Sequence, residues 1–105
     1  MIEFDNRLSL LRCWGDEDRA TQGTRRQALA RAIKSPRDVV ADLSDLAFAD
    51  SSLMLDLAAL ARRLRRNERE LRLRGAQPQI KLLIELVGLH RLPGVLLEGP
   101  SPALA

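Results

Sequence analysis

The sequence predicts an α/β domain: a single-layered mixed β-sheet of about four to five strands with packed helices. Three observations predict it. Short apolar runs such as Val39-Val40-Ala41-Asp42-Leu43 and Val95-Leu96-Leu97 alternate along the chain with longer stretches whose apolar residues recur every three to four positions. The longer stretches carry helix punctuation, with Ser or Asp before them and Gly or Pro after. An N-terminal hairpin would add an antiparallel pair to strands joined by crossover helices, which makes the sheet mixed.

In chain order, a first strand is expected over residues 2–5 and a second over 8–14, with Asn6-Arg7 as the turn. In the second, Leu8, Leu10 and Arg12 alternate with Ser9, Leu11 and Cys13 without a clean period. A helix is expected over 24–33, with Ala28, Leu29, Ala32 and Ile33 on one stripe, and Ser35-Pro36 ends it because the residue before proline avoids helical geometry. The third strand is 38–43. The second helix is 52–66: at 100° per residue Leu53, Leu57, Leu60, Ala61 and Leu64 form a buried stripe, while Leu55 falls nearly opposite, beside Ala59, Arg62 and Arg66. A fourth strand follows at 70–74, then a third helix from just after Pro78 to Gly88, the usual kind of C-terminal stop. A short last strand is expected at 95–98. Residues 1–98 form one domain in this reading, and 99–105, with two prolines, a flexible tail.

Composition narrows the function classes. A chain of 105 residues, 46% apolar, supports one modest core. Its one cysteine cannot form an internal disulfide, no apolar run approaches 18 residues, and Met1-Ile2-Glu3-Phe4-Asp5 has no signal-peptide pattern; the expected location is cytoplasmic, with no membrane partner. The net charge of +3 comes from an arginine excess, densest at Arg62, Arg63, Arg65, Arg66, Arg69, Arg72 and Arg74. Nucleic acid is one partner for such a cluster. Against it, Glu68 and Glu70 interleave, cations suit a helix C-terminus, and Phe4, Trp14 and Phe48 are expected in the core, leaving no stacking platform. The arginines are expected on a solvated face, open to an acidic protein partner rather than directly to nucleic acid. His90, the sole histidine, is expected in an exposed loop and Cys13 in the interior. One histidine and one cysteine cannot supply a typical zinc set, and no nucleophile–base pair can be assembled, so no enzyme activity, cofactor or metal is expected.

The most informative stretch is Asp50-Ser51-Ser52, where the third strand's run gives way to the second helix. Ser and Asp cap helix starts, and a helix N-terminus also favours a bound or covalently added phosphate. The carboxylates of Asp16, Glu17, Asp18, Asp42, Asp45 and Asp50 are expected to gather near one end of the sheet as caps and partner contacts.

Read outward from those serines, the order Asp42-Leu43-Ser44, then Ala49-Asp50-Ser51-Ser52, and later Leu82-Leu83-Ile84-Glu85-Leu86-Val87-Gly88-Leu89, resembles the STAS domain of bacterial anti-sigma-factor antagonists. In that family a strand ending in Asp-Leu-Ser precedes Asp-Ser-Ser-Gly, and a later helix ends in Leu-x-x-x-Gly-Leu. Gly15-Asp16-Glu17-Asp18 is similar to the family's Gly-Glu-Leu-Asp corner, and the likeness spans about residues 2 to 98. The resemblance implies partner switching. The unmodified protein binds an anti-sigma-factor serine kinase and frees the sigma factor; phosphorylation ejects it, and a serine phosphatase resets it. Ser51 matches the phosphorylated serine and Ser52 its neighbour, and Asp50, Ser52, Leu53, Leu55, Asp16 and Asp18 are the expected partner contacts. Leu53-Met54-Leu55 stand where the family has Gly-Leu-Gly. That departure points to an alternative: a scaffold or accessory STAS subunit that is never phosphorylated and docks on a larger protein such as a transporter ATPase.

Overall fold

Asp5 ends the first strand by accepting the backbone N–H groups of Arg7 and Leu8, at 2.9 and 3.3 Å. That turn reverses β1 (Ile2–Asp5) into β2 (Leu10–Glu17). In the structure, a computed structural model described over residues 1–98, a 3-10 turn at Arg19–Thr21 follows, then α1 (Gln22–Ile33), β3 (Val39–Ala49) and α2 (Ser51–Arg65). The chain continues through β4 (Leu71–Arg74), α3 (Pro78–Val87), a second 3-10 turn at Leu89–Arg91 and β5 (Val95–Leu97). The predicted tail at 99–105 lies outside the described residues.

The five strands lie in sequence order, β1 antiparallel to β2 and every later pair parallel. Each parallel step moves one place in the same direction, so right-handed crossovers put α1, α2 and α3 on one face. Burial agrees: Leu11 and Cys13 of β2, Val39, Ala41 and Leu43 of β3, and Leu71 and Leu73 of β4 are buried, while Arg12, Trp14 and Arg74 on the opposite face are exposed. The predicted stripe of α2, Leu53, Leu57, Leu60, Ala61 and Leu64, meets this inner face, and Ile80 and Ile84 do the same from α3. At about 1.5–3 kcal/mol for each large apolar side chain, this contact outweighs any capping effect in the fold. Cys13 shares that interior. Burial first, and then the nearby charge of Glu17, push its thiol up to about 12, which keeps it protonated and unreactive.

Two strands, β2 and β3, run further along the chain than their apolar runs suggest. The second strand starts at Leu10 rather than at 8, because Ser9 takes a positive φ of 51° and its hydroxyl meets Ser35 Oγ at 2.6 Å and the Asp38 carbonyl at 2.7 Å. It also runs on to Glu17, so Gly15-Asp16-Glu17 is strand and the corner begins at Asp18. Strand β3 continues six residues past the expected end at 43. Its register against β2 shifts between Arg12 and Trp14 and again between Gly15 and Asp16, so irregular steps carry β3 on through the polar residues that follow Leu43. The first of them is held by Asp42, which accepts the backbone N–H and the hydroxyl of Ser44. Beyond Asp42, β3 has no β4 partner, and Gln77 and Gln79 at the start of α3 donate their side-chain amides to the carbonyls of Ser44 and Ala47 at 2.9 and 3.1 Å.

On the helix-free face, cross-strand neighbours alternate in charge: Glu3 faces Arg12, Arg12 faces Asp42, Asp42 faces Arg74, and Arg74 pairs with Glu98 at 3.1 Å. Opposite charges so placed contribute roughly 0.2–1 kcal/mol each. Trp14 and Phe48, expected in the core, are exposed instead, at 37% and 51%. Trp14 stands on the open face beyond the ladder, and Phe48 sits where the disturbed alternation of β3 places Ala47 and Phe48 outward together.

Gly75 provides a sharp test of this packing. Its φ of +74° is left-handed, and a Cβ there would meet Ser44 Cβ at 3.0 Å. Gly75→Ala is expected to destabilise the domain by about 1–3 kcal/mol in urea unfolding. Gly23→Ala, on α1 with open space around the new Cβ, is expected to stabilise it by roughly 0.5–1 kcal/mol.

Candidate functional site

The corner at the C-terminal ends of β2 and β3 is assembled from backbone outward. The Asp50 N–H donates to the Glu17 carbonyl at 3.1 Å, which pins the end of β3 to the end of β2. Asp50 is in extended geometry and caps α2 by accepting the Ser52 N–H at 2.9 Å and the Ser52 hydroxyl on Oδ1, while Oδ2 accepts the Arg19 N–H at 3.0 Å. Asp18 caps the neighbouring 3-10 turn in the same manner: its carboxylate accepts from the N–H groups of Ala20 and Thr21, and the Asp18 N–H donates to Thr21 Oγ1 at 3.1 Å.

Behind the two caps lies Arg25, a fully buried arginine. Its guanidinium donates to Asp56 Oδ2 at 2.8 Å, to the Asp18 carbonyl at 3.0 Å, to Ser52 Oγ at 3.0 Å and to Glu17 Oε1 at 3.2 Å. Glu17, equally buried, has the terminal ammonium of Met1 at 2.7 Å from its other oxygen. A buried charge is tolerated only when paired and hydrogen-bonded, and this one is surrounded by acceptors. Apolar periodicity in α1 does not reveal it, because the stripe of Ala28, Leu29, Ala32 and Ile33 leaves an arginine to be expected in solvent. A signal existed: Arg25 precedes Ala28 and Ala32 on the same stripe, and Glu17 is a carboxylate where the Gly-Glu-Leu-Asp corner has leucine.

The two serines are thereby separated in chemistry. Ser52 is buried, with its hydroxyl given to Asp50 and accepting from Arg25. Ser51 is exposed on the first turn of α2, and its hydroxyl makes no hydrogen bond among the described residues. The corner brings Asp18, Asp50, Ser51 and Ser52 together, with exposed Asp16 beside Phe48 on the strands leading into it. Leu53 is corrected: at 0% exposure it belongs to the core and offers a partner nothing, because it starts the inward stripe of α2. Leu55 is 67% exposed, as the helical spacing requires. The arginine run divides. Arg62, Arg63 and Arg65 are exposed on α2 and Arg66 at its C-cap; Arg69 donates to the Ser35 carbonyl; Arg72 and Arg74 pair with carboxylates. His90 is half-buried in the second 3-10 turn instead of in an open loop. Among the described residues no group of three or more His, Cys, Asp or Glu side chains is placed to hold a metal ion, and no helix is long and apolar enough to cross a membrane.

A mixed sheet in sequence order, antiparallel only at β1, with its crossover helices on one face and a capped helix presenting an exposed serine hydroxyl at the end of β3, defines a distinct class of small α/β domain. The STAS domain family matches residues 1–99, and the chain belongs to it. Two similar solved structures are the unphosphorylated form of the anti-sigma factor antagonist SpoIIAA and the phosphorylated form of the Bacillus cell fate determinant SpoIIAA. The first is 17% identical with a TM-score of 0.68, covering 99% of this chain and 91% of that one. The second is 19% identical with a TM-score of 0.62, covering 99% and 95%. A search of curated proteins found no match.

Two measurements test the corner. Arg25→Met leaves Glu17 facing an apolar neighbour and is expected to cost about 3–5 kcal/mol in urea unfolding, whereas Glu17→Leu with Arg25→Leu is expected to recover at least half of that loss. The Asp50 carboxyl is held below its ordinary 3.8, first by the Ser52 hydroxyl and then by backbone N–H groups, against an opposing contribution from desolvation. A depressed carboxyl contributes its stability in full above pH 3.8 and loses it as pH falls through the lowered value. Asp50→Ala is therefore expected to be less stable than the parent at pH 7 and to converge on it below pH 3.8.

Proposed function

We propose that this protein is an anti-sigma-factor antagonist that works by phosphorylation-controlled partner switching, with Ser51 as the modified residue. The observation that carries the reading is the division between the serines: Ser51 is accessible and unbonded at a helix N-terminus, while Ser52 is buried and hydrogen-bonded on both sides. Membership of the STAS family supports it, as does likeness of fold to an antagonist solved in both unphosphorylated and phosphorylated forms. The partners in this reading are an anti-sigma-factor serine kinase and a serine phosphatase, in the cytoplasm, with Asp16, Asp18, Asp50 and Ser52 shaping the contact surface and Leu55 touching the partner directly.

The energetics favour release over unfolding. A phosphate adds about −1.5 to −2 charges at pH 7. The α2 dipole returns only about 0.3–1 kcal/mol to it. A unit repulsion at 4 Å and an effective dielectric of about 20 is worth about 4 kcal/mol, so Asp50 next door and any acid across an interface outweigh the dipole. In the free domain the phosphate at exposed Ser51 stays in water, and the fold is retained. The leucines in place of the family's glycines do not close the corner symmetrically: Leu53 turns inward, and only Leu55 stands in a partner's way. Exposed Leu55 is also what favours the second reading, a permanently docked accessory subunit.

Incubating the protein and ATP with the serine kinases encoded in its own genome separates the two. Phosphate is expected on Ser51, absent in Ser51→Ala and retained in Ser52→Ala, and Ser51→Asp is expected to weaken kinase binding at least tenfold, or about 1.4 kcal/mol. Phosphopeptide mapping to Ser44 or Ser9, or stable kinase binding with no phosphate transferred, would overturn the switch and leave the accessory reading.

A further inference from the structure

The outer flank of α2 does not end at Leu55. It forms one wall of a groove of about 290 Å³, lined by Ser51, Leu55, Ala58 and Arg62 on α2 and by Val87 and Leu89 at the end of α3 and in the turn beyond it. Its apolar surface extends outward. Leu86 is 74% exposed and Leu82 57%, and at 100° per residue Leu82, Leu83, Leu86 and Val87 share one flank of α3, with Lys81 and Glu85 on the other. A groove with exposed leucines beside it on a small domain marks a docking surface.

The charges at the groove identify what docks. Ser51 lies at one end of the α2 wall and Arg62 at the other, eleven residues or about 16 Å apart along the helix. Arg65 and Arg66 follow on the same flank, and exposed Arg91 stands between the lining residues Leu89 and Leu92. None of these four arginines forms an ion pair among the described residues, unlike Arg25, Arg72 and Arg74. The groove therefore has an apolar floor and an uncompensated cationic end. We propose that it seats an amphipathic helical segment of a partner protein, with apolar side chains at i, i+3 or i+4, and i+7 in the groove and Asp or Glu residues against Arg62, Arg66 and Arg91. A phosphate on Ser51 stands at the rim of this groove, where it is desolvated by the seated segment and repels the segment's carboxylates. The inference rests on reading the domain as a partner-binding module, and it assigns the chemistry of the segment that binds.

The test sorts a displayed library of 16-residue helical peptides on the full chain. Enriched binders are expected to carry Asp and Glu at least threefold over Lys and Arg, with apolar residues at the stated spacing. A synthetic peptide from that pool is expected to lose at least tenfold in affinity to Leu55→Asp, and at least threefold to Arg62→Ala and to Ser51→Glu. Trp14→Ala, on the open sheet face, is expected to leave affinity unchanged. Thermal melts accompany each variant, and Arg62→Glu decides the matter if Leu55→Asp melts early. Binders that are neutral or basic, absence of enrichment, or binding indifferent to Arg62 overturn the proposal. So does a 20-base-pair DNA duplex that binds and is lost in Arg62→Ala, or a dimer in sedimentation abolished by Leu55→Asp. Phosphate on Ser51 without acidic binders defeats this inference and leaves the switch; acidic binders without phosphate on Ser51 do the reverse.

Discussion

A guanidinium sealed from water can stay charged only if its donors are met, and Arg25 imposes that requirement on everything around it. Its acceptors come from the end of β2, from the turn before α1 and from the first two turns of α2. The corner at Glu17-Asp18 and the start of α2, more than thirty residues apart in sequence, are thus held to one geometry by one side chain. An apolar side chain of similar size would fill the space, and buried ion pairs replaced in that way often lose nothing in stability. What hydrogen bonds add is direction. They fix which way Ser52 points, and through Ser52 the carboxylate of Asp50, and so where α2 begins. The exposed serine next to it inherits a defined position without making a bond of its own.

Helix α2 shows how much one amphipathic element can carry. Its inner stripe is the largest part of the core; its first two turns belong to the Arg25 network through Ser52 and Asp56; its outer flank forms the wall of the groove. The three roles fall on different sides of a cylinder, so a side chain can change on one with little effect on the others. The leucine pair at 53 and 55 illustrates this, since two residues apart on a helix means nearly opposite surroundings.

Much of this was legible in the sequence. Helix positions, the inward stripe of α2, the exposed Leu55 and the stop at Gly88 follow from 3.6-residue periodicity and cap chemistry, which are local. The true length of β3 was not, because its second half is held by irregular pairing with β2 and by glutamines thirty or more residues away. Residue type favours the core for Trp14 and Phe48, but the alternation of β2 puts Trp14 on the open face and the disturbed alternation of β3 turns Phe48 outward. Within the corner, Asp50 and Ser52 were legible as a cap. The division of labour between Ser51 and Ser52 was not, since it depends on an arginine from a different helix.

The charge ladder on the uncovered face has an effect beyond its own strands. Its three carboxylates and two arginines alternate and sum to −1, so the face contributes nothing to the positive charge of the molecule. The arginines of α2 have no such company. The formal charge of +3 is therefore felt mainly from the helical side, and the molecule carries a field with a front and a back. An approaching polyanion or acidic protein is turned toward the helices before it touches anything, and the bare sheet, for all its width, offers it no attraction.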